Sequence, residues 1–231
     1  MKKTIAIVED EVELANNYKE AFERHGYTVS LYHNRPDAER AFAQKIPDLV
    51  VIDIGLGNEP NGGFDLCRSL RAVSATLPII FLTARESDLD QVSGLMLGAN
   101  EYLLKSTSLQ LLLVRIDTFF RMLAALTQQH DNDTVLERGP ALINVDRKTV
   151  SWNGSDISAT LTEFWIIESL AKNVGHLKTR DQLMTAANII VDGATVNSHI
   201  KRIRKKFRAN DDTADPIKTE YGGGYRWLIN K

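Results

Sequence analysis

From Lys3 to Leu123 short apolar runs alternate with amphipathic stretches. Thr4 to Val8, Thr28 to Tyr32, Asp48 to Ile52, Leu77 to Leu82 and Glu101 to Leu104 read as strands, each followed by a helical pattern. Five such units predict an α/β domain, a doubly wound five-stranded parallel sheet whose ligands sit beyond the carboxyl ends of the strands. Near Thr127 the pattern dissolves into Gln-Gln-His-Asp-Asn-Asp, a polar run that reads as a linker over 125–134, between domains at 1–124 and 135–231. Beyond it come short alternating segments with a hairpin signal at Asn153-Gly154. Helical patterns follow over Thr162 to Lys172, Thr179 to Ala187 and Thr195 to Arg208, with a turn at Asp192-Gly193 before the last. Two strand-like pieces around Gly222-Gly223-Gly224 close an α+β layout of the winged helix-turn-helix kind.

Composition narrows the class. A 43% hydrophobic content over 231 residues excludes a disordered chain. The opening Met-Lys-Lys-Thr-Ile-Ala-Ile-Val imitates a secretory signal, but Glu9, Asp10, Glu11 and Glu13 cut its apolar run short. Cys67 is the only cysteine, which excludes an internal disulfide and a thiolate metal cluster and fits a reducing cytoplasm. Residues 1–125 hold 13 Lys+Arg against 17 Asp+Glu, whereas 126–231 hold 15 against 13. Six of those basic residues fall between Lys201 and Arg208, the footprint of a polyanion contact.

The chemistry of the first domain lies at its strand ends. Glu9 and Asp10 follow the first strand, Asp53 the third, Thr83 closes the fourth and Lys105 follows the fifth. Converging carboxylates repel one another unless a cation is present, and hard oxygen ligands suit Mg²⁺. A carboxylate beside Mg²⁺ can attack a phosphoryl group, with Lys105 and the Thr83 hydroxyl facing its oxygens.

Glu9-Asp10, Asp53, Thr83-Ala84, Tyr102 and Lys105 resemble the receiver domains of two-component systems, which have a flavodoxin-like sheet. The resemblance implies that a sensor histidine kinase phosphorylates Asp53, that Glu9, Asp10, Asp53 and the Gly55 carbonyl hold Mg²⁺, and that Thr83 and Tyr102 are the switch residues. Two departures stand out. Ser106 takes the place of the usual proline after Lys105, and the loop from Ile54 to Gly63 is about two residues long by the family's standard. That glycine-rich loop, with Phe-Asp-Leu-Cys-Arg-Ser-Leu-Arg after it, is similar to a sortase-associated subgroup.

In the last long helix Val196, Ile200, Ile203 and Phe207 form the apolar stripe, which sets Asn197, Ser198, Lys201, Arg202 and Lys205 on the opposite side. Short polar residues near its start can reach base edges, and its cations can meet phosphates. Leu161-Thr-Glu-Phe, Ser198-His-Ile-Lys-Arg-Ile-Arg-Lys-Lys-Phe and Tyr221-Gly-Gly-Gly-Tyr-Arg resemble the winged-helix domain of the OmpR/PhoB class. The resemblance implies binding to double-stranded DNA. It turns Asn197, Ser198 and Arg202 toward bases, turns Thr195, His199, Lys201, Arg204 and Tyr225 toward phosphates, and makes the hairpin with Tyr221 a minor-groove wing.

Other readings fit less well. A phosphatase using an aspartyl-phosphate needs a second Asp where Gly55 stands, and a nucleotide-binding domain needs a glycine-rich loop where Glu9-Asp10-Glu11 stands. An enzyme acting on other substrates is therefore not expected. The remaining alternative is a DNA-binding regulator with a phosphate-independent receiver. Three finer expectations follow. The Lys105-Ser106 bond should be trans, because a cis bond without proline costs about 3 to 4 kcal/mol, and a capping box at Thr107 and Gln110 should start the next helix. Tyr221, where relatives carry arginine, should weaken minor-groove contact. The resemblance also implies a homodimer on phosphorylation whose cross-dimer pairs fall at Gln91 with Leu111, Glu101 with Arg115 and Asn100 with Met122, a less ionic face than is usual.

Overall fold

The computed structural model describes residues 2–127, 134–187, 193–220 and 222–228. Two compact units divide between Phe120 and Arg121. In the first, strands β1 (Thr4–Val8), β2 (Thr28–Tyr32), β3 (Leu49–Ile52), β4 (Ile79–Thr83) and β5 (Glu101–Leu104) pair in parallel in the order β2-β1-β3-β4-β5. They alternate with α1 (Val12–Arg24), α2 (Arg35–Gln44), α3 (Gly62–Val73), α4 (Asp88–Leu97) and α5 (Leu109–Thr127). Continuous burial of β3 and β4 is what a parallel sheet covered on both faces requires.

The expected strands recur with two shifts. β3 starts one residue late because Asp48 spends its carboxylate on the Thr4 backbone N–H (2.7 Å) and hydroxyl (2.8 Å). β4 starts at Ile79 because Pro78 has no N–H to give a ladder, and the Leu77 N–H turns to Ser74 Oγ (3.2 Å). The Lys105–Ser106 peptide is trans, as expected. The capping box is not at Thr107 and Gln110. Ser108 starts α5, its Oγ accepting from the Leu111 N–H (3.3 Å), while the Thr107 N–H closes a turn onto Leu104 O (2.8 Å). α5 carries helical backbone through Thr127, and 128–133 of the expected linker lie outside the described residues.

In the second unit β6 (Val135–Arg138), β7 (Ala141–Asn144), β8 (Thr149–Trp152) and β9 (Ser155–Ile157) form an antiparallel meander. Asn153 (φ 49°) and Gly154 (φ 79°) make the left-handed turn that the Asn-Gly pair predicts. Then come α6 (Leu161–Lys172), α7 (Arg180–Ala187), α8 (Gly193–Asn210) and the hairpin β10 (Ile217–Glu220) with β11 (Gly224–Trp227). Trp152, Phe207 and Trp227 stack edge-on at 5.2 and 6.0 Å in a core shared by the sheet, the helices and the hairpin. Asp192, half of the expected turn, lies outside the described residues, and Gly193 is already helical.

Candidate functional sites

Parallel register brings the first site together. Val8 pairs with Ile52, so the chain leaves β1 and β3 side by side at Glu9 and Asp53, and Thr83 pairs with Leu104, so Lys105 follows next to Thr83. Oxygens of Glu9, Asp10 and Asp53 lie within 4.8 Å of one another, with Asp10 the most open of the three. Lys105 Nζ stands 2.8 Å from Asp53 Oδ2, 2.9 Å from Glu9 Oε1 and 3.2 Å from Glu11 Oε1. Burial, reinforced by the charge of Asp53, pushes the Glu9 carboxyl up to about 7, against the pull of Lys105. Burial pulls the Lys105 ammonium down, but hydrogen bonds to Asp53 and Glu9 outweigh it and the net shift is upward. One cation among four carboxylates leaves the pocket rich in negative charge.

Gly55 lies half-buried two residues beyond Asp53, and Gly63 explains how the long loop returns. A Cβ on Gly63 would sit 2.1 Å from Asp53 O, so only glycine lets α3 start against the strand end. Between them Leu56 and Glu59 exchange backbone hydrogen bonds (3.1 Å each), and the Gly57 N–H donates to Asp10 Oδ2 (3.1 Å). Arg35 grips Glu59 at 2.6 Å. Arg85 reaches Pro60 O and Asn61 Oδ1 (3.2 Å), tying this loop to the one after β4. The Tyr102 hydroxyl donates to Arg85 O (2.9 Å), and Thr83 Oγ1 accepts from the Arg85 N–H (3.3 Å). Both switch residues therefore converge on Arg85. Sequence reading missed Arg85 and Glu11, since a charged residue in a loop carries no pattern.

The second site is α8. Asn197, Lys201, Lys205 and Arg208 are exposed along one face, and Ser198 is half-exposed beside them. Two expected contact residues are not on that face. His199 and Arg202 are buried, at 0% and 6% exposure. Arg202 is drawn inward by an ion pair to Glu163 on α6, and its Nη2 lies 3.2 Å from His199 Nδ1. Burial, with the Arg202 charge added, holds His199 down at about 3, so its ring is neutral. Arg204 is half-buried and donates to Ile217 O (2.6 Å) and Thr219 Oγ1 (2.8 Å), fastening the hairpin to the helix. Tyr225 is buried up to its hydroxyl, which donates to Asn197 Oδ1 (2.7 Å), and Arg180 of α7, unmarked in the sequence, donates to the same oxygen (3.1 Å). Tyr221 and the Thr195 side chain lie outside the described residues.

The expected dimer face also needs correction. Asn100 is buried, its Oδ1 accepting from the Ile79 N–H (2.9 Å) and Arg71 Nη2 (2.8 Å), so it holds β4 and α3 in its own chain. Glu101 and Arg115 are each 2% exposed and lie 3.1 Å apart within one chain, because Arg115 faces inward from α5. Burial lifts the Glu101 carboxyl to about 7 despite that arginine. Thr118 is buried as well, so only Leu111 of this stripe stays exposed, with Gln91 half-exposed on α4. The Met122 side chain lies outside the described residues.

Residues 5–117 match the response regulator receiver domain family, and 154–227 match the family described as transcriptional regulatory protein, C terminal. Sensory transduction protein RegX3 of Mycolicibacterium smegmatis is 36% identical over 228 residues, 96% of this chain and 98% of that protein. Transcriptional regulatory protein CreB of Escherichia coli is 31% identical over 228 residues, 97% of each. A cysteine-to-aspartate mutant of RitR superposes with a TM-score of 0.76 over 99% of this chain and 100% of that one, and at 22% identity this likeness is one of fold. DrrB, a Thermotoga maritima OmpR/PhoB homolog, gives a TM-score of 0.52 at 25% identity, over 99% and 100%.

Proposed function

The chain belongs to the OmpR/PhoB-type response regulators, two-component transcription regulators with a receiver and a DNA-binding domain, and from that premise we propose that Asp53 is phosphorylated by a sensor histidine kinase to control binding of α8 to double-stranded DNA. The observation that carries this reading is the pocket in which Asp53 meets Glu9, Asp10 and, at 2.8 Å, Lys105. The carboxylate oxygen of Asp53 attacks phosphorus, the bond to the donor imidazole breaks, and Lys105 faces the charge on the phosphoryl oxygens. The donor set fits Mg²⁺: Glu9, Asp10, Asp53 and the Gly55 carbonyl would hold it, and when bound it supplies neutralisation of the transferring oxygens. Thr83 follows the phosphoryl group, and its hydrogen bond to the Arg85 N–H passes the motion to the carbonyl that holds Tyr102. Incubation with acetyl phosphate and Mg²⁺, followed by intact-mass measurement, should show one phosphoryl group on the unchanged chain and none on Asp53→Ala. Equal uptake by the variant refutes the assignment.

On DNA, Asn197, Ser198, Lys201 and Lys205 form the contact face in this reading, and the hairpin contributes little cation to the minor groove. Supporting this, Arg226 and Lys218 both turn to Glu220, at 3.2 and 3.8 Å. The phosphorylated chain forms a homodimer through exposed apolar side chains, Leu89 and Val92 on α4 with Leu111 and Val114 on α5, which leaves few charges to pair across it. Sedimentation across a salt series should find the dimer retained from low to moderate salt, since apolar burial is not screened. A dimer that dissociates over that range contradicts this. Among the described residues no helix is long and apolar enough to cross a membrane.

A further inference from the structure

Glu163 is the third residue of α6 and is fully buried. Its Oε2 accepts from the Thr160 N–H (2.7 Å) and from Lys206 Nζ (2.6 Å), and its Oε1 accepts from Arg202 Nε. Both cations belong to α8, and Arg202 passes a further contact to His199 Nδ1. Positions 199, 202 and 206, spaced by three and four, thus hang on one carboxylate of another helix.

The placement matters because of where Arg202 stands. At 3.6 residues per turn it lies only about 40° around α8 from Ser198, at the margin of the exposed face that Asn197, Lys201 and Lys205 line. A guanidinium there, if unpaired, would reach a phosphate beside that face. The cluster is also not saturated: Arg202 Nη1 and His199 Nε2 are buried without a hydrogen-bond acceptor. Such orphaned donors lower stability, and buried ion pairs as a class add little to it. What the cluster does supply is a fixed rotation of α8 and a cation held out of reach.

We infer that Glu163 is a positioning residue for DNA readout: by holding Arg202 and Lys206 it keeps the Arg202 cation away from the phosphates and fixes which face of α8 meets the bases. The inference rests on the DNA-binding reading above. Each phosphate-bound cation strengthens binding to all sequences alike and steepens its salt dependence by about 0.9 in log–log slope. Withholding one therefore trims sequence-independent affinity while base contacts remain, which widens the gap between a preferred site and bulk DNA.

The test uses the full chain, incubated with acetyl phosphate and Mg²⁺, and two probes: duplexes enriched by the unchanged chain from a random-sequence pool, and one mixed-sequence duplex. Glu163→Gln should steepen the salt slope on the mixed duplex by about 0.9 and reduce the preference for the enriched duplex about tenfold. Adding Arg202→Met to it should return the slope to that of the unchanged chain. A purely structural role would weaken binding without steepening the slope. The inference is overturned if folded Glu163→Gln keeps the original slope, or if the slope stays steep once Arg202 is gone. Should Glu163→Gln not fold, Glu163→Met/Arg202→Lys is compared with Glu163→Met/Arg202→Met. The lysine form should be steeper by about 0.9, and equal slopes overturn the inference. An unchanged chain that enriches no sequence and binds neither probe overturns the DNA-binding reading itself and this inference with it.

Discussion

The strand-end pocket of the receiver and the buried cluster under α8 are built from the same parts in opposite proportion. In the pocket, Glu9, Asp10, Glu11 and Asp53 surround the single cation Lys105. In the cluster, one carboxylate, Glu163, receives the two cations Arg202 and Lys206. The consequences for the acids are opposite. Glu9 is pushed up to about 7 by burial, while Glu163, whose burial also pushes upward, is carried down to about 2 by its two cations. A carboxylate left short of positive charge marks a place where a ligand must bring it, whereas one supplied by its own fold marks an internal fastening.

The comparison can be broken most sharply at Arg202. Arg202→Met removes the nearer partner of a buried charge and should cost about 3 kcal/mol, whereas Glu163→Met/Arg202→Met should cost much less. All three tryptophans, Trp152, Trp165 and Trp227, lie in the second unit, so tryptophan fluorescence during urea unfolding of the whole chain reads it selectively. Equal losses in the two variants would mean that Glu163 does not depend on Arg202.

Next in size is the pocket's response to a cation. Mg²⁺ at about a hundred times its dissociation constant should stabilise the receiver by about 2.7 kcal/mol, through binding to the folded state alone. Calorimetry should show the receiver transition moving up while the tryptophan-monitored transition stays in place. If both move together, or neither does, the charge shortage of the pocket has been misread.

The smallest effect is that of pH on the second unit. His199 has a folded pKa of about 3, below its ordinary 6.5, so the unfolded chain binds the proton first as pH falls. Its contribution is complete above pH 6.5 and is lost on acidification toward 3, at up to about 1.4 kcal/mol per unit. Glu163, lowered from 4.5 to about 2, adds loss of the same sign below 4.5. The tryptophan-monitored midpoint should fall from pH 6.5 to 5.5, and His199→Gln should flatten that first unit of the profile. A profile unchanged by the substitution would remove His199 as the cause.

The acidic pocket was legible in the chain because strand order and strand ends are written locally. Period and composition mark where each strand stops, and parallel pairing then sets Glu9, Asp53, Thr83 and Lys105 along one edge. The Asn153-Gly154 turn and the apolar stripe of Val196, Ile200, Ile203 and Phe207 were legible for the same reason, since each depends on near neighbours only. Only the tertiary structure decided which side the marginal positions face. Arg202 and Ser198 are near neighbours around α8, and it is Glu163, 39 residues earlier in the chain, that takes one of them inward. Asn100, Glu101 and Arg115 likewise look like surface residues in a helical or strand pattern, until Ile79, Arg71 and each other occupy their polar atoms. A polar side chain is free to lie in or out according to whether a partner meets it, and a partner from a distant element leaves no period in the sequence.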